Sequence, residues 1–171
     1  RFHLVSGTSV GGILAVALAY EVPMRDLVEL FQAHGREIFS SRARPSTSVG
    51  RLIDLTRAVL GPKYDGAAHL GERTLAEARH ALVVPAVNVN RSLTKVFKTP
   101  HADASAGDEG VRAMDVAMAS SAAPAYFPAV PIKGSLFADG GLFAVAPDQV
   151  ALHEAELFMG VKASEVRMLS I

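Results

Sequence analysis

Ser9 stands in Gly7-Thr8-Ser9-Val10-Gly11-Gly12, directly after the apolar run Phe2-His3-Leu4-Val5. A G-x-S-x-G between a strand and a helix has the layout of a nucleophile elbow, a sharp turn that lifts a serine hydroxyl clear of the sheet. The flanking glycines fit that geometry, because a Cβ there is expected to collide with the neighbouring strand or helix. The pattern also occurs in ordinary loops, so its context has to carry it. A serine hydroxyl is a weak nucleophile at neutral pH and needs a base within hydrogen-bond reach.

Two residues compete for that role. Asp139 ends the apolar stretch Leu136-Phe137-Ala138 and is followed by Gly140-Gly141. A carboxylate there could face the serine, or it could serve a tight turn by accepting backbone N–H groups. The order Ser9, Asp139, His153 also matches a Ser–Asp–His triad of the α/β-hydrolase type. His153, however, lies in the helical stretch Pro147 to Ala155; triad histidines usually sit on loops that can aim the ring, so this position reads rather as the surface of a helix. His3 reads as a core or sheet-edge residue. His34, His69, His80 and His101 show no partner at suggestive spacing, and no pair of histidines makes a metal-ligand pattern.

The segments around these residues read as strands and helices in alternation. Ile13 to Tyr20 is apolar nearly all round, as a buried helix requires. Pro23 opens a helix to about Gly35. Ser40 to Ser48 is a polar loop, and Val49, Leu52, Ile53 and Leu60 mark an amphipathic helix stopped by Gly61-Pro62. Turn signals over 61–72 precede a short helix near Leu75 to Ala78. Ala81 to Val89 is a strand in which Pro85 implies an edge or a bulge. Thr94 to Thr99 is a second strand, and His101 to Gly110 a polar loop. Val111 to about Ala119 forms a helix with Met114 and Met118 facing the core. Pro147 starts a helix to about Met159, and Val166 to Ile171 reads as a last strand. This alternation argues α/β with a largely parallel sheet.

Composition narrows the function classes. The chain has 171 residues, half of them apolar, with a formal net charge of zero and no cysteine. That is one domain with room for a sizeable core. A neutral chain without a basic run has no electrostatic reason to hold nucleic acid. Without cysteine there are no disulfides or thiolate metal sites, and the redox compartment stays open. The uncharged stretch Leu4 to Tyr20 is broken by Ser and Gly, so it reads as strand, turn and core helix rather than a transmembrane segment.

Taken in order, the Gly7 to Gly12 motif, Leu82 to Asn88, Val96 to Thr99, Ala119-Ser120-Ser121-Ala122-Ala123-Pro124-Ala125-Tyr126-Phe127-Pro128 and Asp139-Gly140-Gly141 resemble the patatin-like phospholipases. The resemblance covers nearly the whole chain. It implies a three-layer α/β/α fold and a lipid acyl hydrolase that cleaves phospholipid or related esters. It also implies a Ser–Asp dyad, with Ser9 as nucleophile, Asp139 taking its proton directly, Gly7, Gly11, Gly140 and Gly141 as motif glycines, and no metal or cofactor. Apolar residues such as Tyr126, Phe127, Leu142 and Phe143 then line an acyl pocket or belong to the core.

The family's Gly-rich oxyanion loop lies on an earlier strand-to-helix turn, so residues 1–171 are expected to form a single, partial domain that lacks this loop and its strand. Such a piece alone is expected to be nearly inactive. Val145-Ala146-Pro147 stands where family members usually carry asparagines. The run of motifs looks like the bacterial branch, which includes effectors switched on by cyclic nucleotides. This brings in a regulatory nucleotide or a homo-oligomer as partners, in a cytoplasmic setting with peripheral contact at a membrane surface. The competing readings are a soluble carboxylesterase with a Ser–His–Asp triad through His153, and a lipid- or partner-binding module without turnover.

Overall fold

The computed structural model describes residues 2–38, 72–102 and 107–171. The expected amphipathic helix from Val49 to Leu60, the loop Ser40 to Ser48 and most of the turn region 61–72 lie outside these residues.

Strand β1 (Leu4–Ser6) leads into helix α1 (Val10–Ala19), and Pro23 precedes α2 (Met24–Ile38). Gly35 does not end α2, which continues one turn further. Strands β2 (Ala81–Asn88) and β3 (Leu93–Lys98) are followed by α3 (Ala113–Ser120), β4 (Val130–Ile132), β5 (Ser135–Asp139) and α4 (Asp148–Leu157). The short helix expected at Leu75 is a single 3-10 turn, Leu75–Glu77.

The chain is α/β, as expected, and among the described residues its sheet has five strands and is mixed. β1 pairs with β2 in parallel along Ala81–Val83. The other pairs are antiparallel: β3 along Val83–Asn88 of β2, β5 along Ala86–Asn88 of β2, and β4 on β5. The β4–β5 turn is Lys133-Gly134, both with positive φ, which suits the twist of a tight hairpin.

β2 is buried along both faces. Leu82, Val84 and Ala86 join a core with Ile13, Val16, Ala17, Val116 and Phe137. Val83 is equally buried on the opposite face, outside that cluster. A strand covered on both sides reads as the continuous apolar run seen here. α1 and α3 pack on each other and on β2, and α4 packs on β1. Phe97 and Phe137 meet with ring centroids 5.1 Å apart, in the tilted arrangement that aromatic quadrupoles favour.

Pro85 is neither on an edge strand nor at a bulge. β3 flanks it on one side, opposite Val96. On the other side β1 ends at Val83 and β5 begins at Ala86, so Pro85 falls in the gap between two ladders. Its carbonyl faces that gap, where Ser120 Oγ donates to it. The imide nitrogen points the same way, so no ladder bond is lost. The final strand expected at Val166–Ile171 does not form; these residues make no ladder and are mostly exposed. Apolar alternation needs a partner edge to become a strand, and none is paired with it among the described residues.

Candidate active site

β1 and β5 run toward each other along the same edge of β2, one parallel and one antiparallel to it. Their C-terminal ends therefore face each other across the gap at Pro85, and each leads to one polar side chain. After β1, the chain turns through Gly7-Thr8 into Ser9, the residue before α1. At the end of β5 sits Asp139, opposite Ala86. Ser9 Oγ donates to Asp139 Oδ2 at 2.7 Å, although 130 residues separate them.

Local geometry fixes both side chains. Ser9 has φ 58° and ψ −128°, a backbone that L-residues rarely adopt and that is stored at functional sites. A serine in this position normally caps its helix, a bond worth about 1 kcal/mol. Ser9 makes no side-chain cap and spends its hydroxyl on Asp139 instead. Gly7 has no room for a side chain: its Cβ would lie 2.0 Å from Gly11 O and 2.9 Å from Ala15 Cβ. The collision expected at Gly11 is absent, for a Cβ there meets nothing within 4 Å among the described residues. The tight second glycine is Gly12, whose Cβ would press on Ser120 Oγ at 3.1 Å.

Asp139 does both jobs that the sequence left open. Its Oδ1 accepts Gly141 N–H at 2.6 Å, a turn bond, while Oδ2 faces Ser9. Asp139 is buried, only 5 % exposed. Gly140 is required next to it, since a Cβ would sit 2.3 Å from Pro85 O. A Cβ on Gly141 would come within 3.0 Å of Asp139 Oδ1.

The histidines fall elsewhere. His153 is exposed on α4, where it lines a groove with Val96, Lys98 and Phe158. Ser9 Oγ bonds Asp139 directly rather than through an imidazole, so the structure does not assemble a Ser9–His153–Asp139 relay. His80 pairs with Glu21 at 3.3 Å. His101, partnerless in the sequence, proves well connected: Nδ1 lies 2.7 Å from Thr99 Oγ1 and Nε2 3.0 Å from Glu154 Oε1.

By connectivity, Thr99–His101–Glu154 imitates a hydroxyl–base–carboxylate triad. Thr99 is buried, and its Oγ1 accepts Leu82 N–H at 2.9 Å, so no substrate reaches it. Glu154 also holds Lys98 Nζ at 2.5 Å, and that ammonium lies 3.7 Å from the Phe158 ring centroid. This is a structural lock between the end of β3 and α4. Of the apolar candidates, Phe127 packs on the core, whereas Tyr126, Leu142 and Phe143 are exposed.

An α/β protein with a serine on a strand-to-helix elbow, bonded to a carboxylate at the end of a second strand, is the class that this fold and site define. Residues 1–152 match the family model of the patatin-like phospholipases, and the chain belongs to that family. It is 37% identical over 172 residues to a cGAMP-activated phospholipase of Pseudomonas aeruginosa, covering 100% of this chain and 52% of that protein. It is 36% identical to a Vibrio cholerae protein of the same description, over 99% of this chain and 52% of the relative. Patatin-like protein 1 of Arabidopsis thaliana is 25% identical over 74% of this chain and 33% of its own length. The chain thus spans about half the length of the bacterial relatives it matches.

Proposed function

We propose that this chain carries the nucleophile and base of a lipid acyl hydrolase that acts on carboxylic esters of phospholipids or related lipids. The observation that carries the reading is the 2.7 Å hydrogen bond from Ser9 Oγ to Asp139 Oδ2. Ser9 Oγ attacks the ester carbonyl as its proton passes to Asp139. Asp139 then returns the proton to the departing alcohol, which leaves an acyl group on Ser9. Water, deprotonated by the same carboxylate, attacks the acyl-enzyme, and the fatty acid departs as Ser9 regains its proton.

The N-terminus of α1 begins one residue after Ser9 and favours the negative charge that develops there. The N–H of Ser9 itself is bonded to Ser120 Oγ at 3.2 Å, so it is not aimed at a substrate oxyanion. Donors for that charge have to come from other groups. Among the described residues no helix is long and apolar enough to cross a membrane. Lipid would then be reached at a surface, with exposed Tyr126, Leu142 and Phe143 available to apolar chains. Activation by cGAMP, which the bacterial relatives carry in their names, belongs to the same proposal for the whole protein; no residue of this chain is assigned to it.

The test is phospholipid hydrolysis by the full-length protein with Ser9→Ala and with Asp139→Asn. Both variants are expected to lose activity by about 10⁴-fold or more, the scale on which removing one catalytic-unit member acts. A fluorophosphonate should label wild type and spare Ser9→Ala. Wild-type hydrolysis by either variant sinks the dyad. His153→Ala is expected to stay within twofold, and a large loss there would restore the triad reading.

A further inference from the structure

The elbow holds Ser9 in a strained backbone, and two buried hydroxyls outside the dyad restrain the peptide groups on both sides of it. Ser120 Oγ accepts Ser9 N–H at 3.2 Å. Ser121 Oγ donates to Ser9 C=O at 2.8 Å, an oxygen that also receives Gly12 N–H at the start of α1. Both serines close α3, and they are 0 % and 3 % exposed. Serines at such positions usually bond back to the carbonyl one turn earlier in their own helix. These two reach more than a hundred residues along the chain instead.

A hydroxyl has one proton, and Ser120 gives it to Pro85 O at 2.6 Å. Its lone pair is what remains for Ser9 N–H, so the direction of both bonds is set. Pro85 O is the atom against which Gly140 is seated, next to Asp139. One side chain therefore touches the backbone of the nucleophile and the carbonyl that locates the base. Gly12, where a Cβ would press on Ser120 Oγ at 3.1 Å, keeps this approach close.

From this arrangement we propose that Ser120, with Ser121 beside it, is the positioning residue that fixes the distance between Ser9 Oγ and Asp139 Oδ2. The proposal rests on the reading of Ser9 as nucleophile. Neither serine touches substrate; they act through the backbone of Ser9. Replacing Ser120 by alanine frees Ser9 N–H and Pro85 O together and lets the elbow relax. A displacement on the order of 1 Å lowers turnover by about 10²-fold when the reacting groups depend on alignment.

The experiment compares Ser120→Ala, Ser121→Ala and Ser9→Ala in the full-length protein, assayed below each variant's melting temperature. Ser120→Ala is expected to lose about 10²-fold in kcat with KM within twofold, and to react with a fluorophosphonate correspondingly more slowly. Ser121→Ala should show the same kcat-only pattern, about 10-fold, and it carries the test by itself if Ser120→Ala does not fold. A serine with a merely structural role would lower the melting temperature and leave kcat of the folded enzyme unchanged. That result, in whichever variant folds, overturns the proposal. If Ser9→Ala keeps wild-type hydrolysis, the nucleophile reading falls first. If Ser9→Ala is inactive while Ser120→Ala keeps its kcat, only the positioning role falls.

Discussion

At the scale of single residues, the elbow distinguishes glycines that its motif treats alike. A Cβ on Gly7 would lie 2.0 Å from a backbone oxygen, and backbone in a buried turn has nowhere to go. Gly7→Ala is expected to destabilise the protein by about 3 kcal/mol, the upper range for forcing volume into a packed site. Gly11 lies in α1 with nothing among the described residues where a Cβ would point, so Gly11→Ala should raise stability by roughly 0.5–1 kcal/mol through helix propensity. Urea denaturation of the pair reads both signs. Equal effects at the two positions would mean that the motif, rather than local contact, governs them. Ser9 itself shows why a strained serine is tolerated: its N–H, its C=O and its hydroxyl each have a partner, so no unpaired polar group of its own adds to the strain.

Helices and strands show where sequence reading succeeds and where it stops. Ser9 and Asp139 were legible because each sits in a local pattern, a strand followed by glycines, that needs only a few neighbours to be recognised. α1 was legible for the same reason, and most of its apolar circumference did become core, with Leu18 left exposed. The lock on α4 was not legible, because Glu154 meets His101 across 53 residues and neither position is unusual within its own segment. Ser120 and Ser121 stood in a family-like motif, yet their work on Ser9 depends on how α3 docks beside α1. β4 is three residues long with a proline in it, too short to declare a period.

The lock makes a separate prediction. Glu154 is 2 % exposed and neutralises a largely buried Lys98. Glu154→Gln keeps the volume but leaves that ammonium without its counter-ion, a change expected to cost about 3 kcal/mol or more. The expected reading is a lower denaturation midpoint without a change in the fluorophosphonate reactivity of Ser9. A loss under about 1 kcal/mol would show that Lys98 escapes to solvent and that α4 is held by apolar contact instead.

For the molecule as a whole, the site exists because one sheet edge is interrupted. β2 supplies a continuous strand, and β1 and β5 approach along it from opposite ends without meeting. The interruption spans Val84 and Pro85, and the elbow, the Asp139 turn and Ser120 all converge on it at Pro85. General rules disfavour proline in a strand flanked on both sides, because it removes a ladder donor. Here those rules give the wrong sign. A nitrogen that faces the gap has no ladder acceptor to lose, and an N–H in its place would be a buried donor without a partner. Pro85→Ala would add that orphan group, about 1–3 kcal/mol, and also widen the unfolded ensemble, about 0.4–1 kcal/mol. Both terms act in the same direction, so the variant is expected to be less stable by about 2 kcal/mol in equilibrium denaturation. A variant as stable as wild type, or more so, would mean that β2 can repair the gap by itself. In that case the break in the sheet is imposed by the docking of β1 and β5 rather than by the proline.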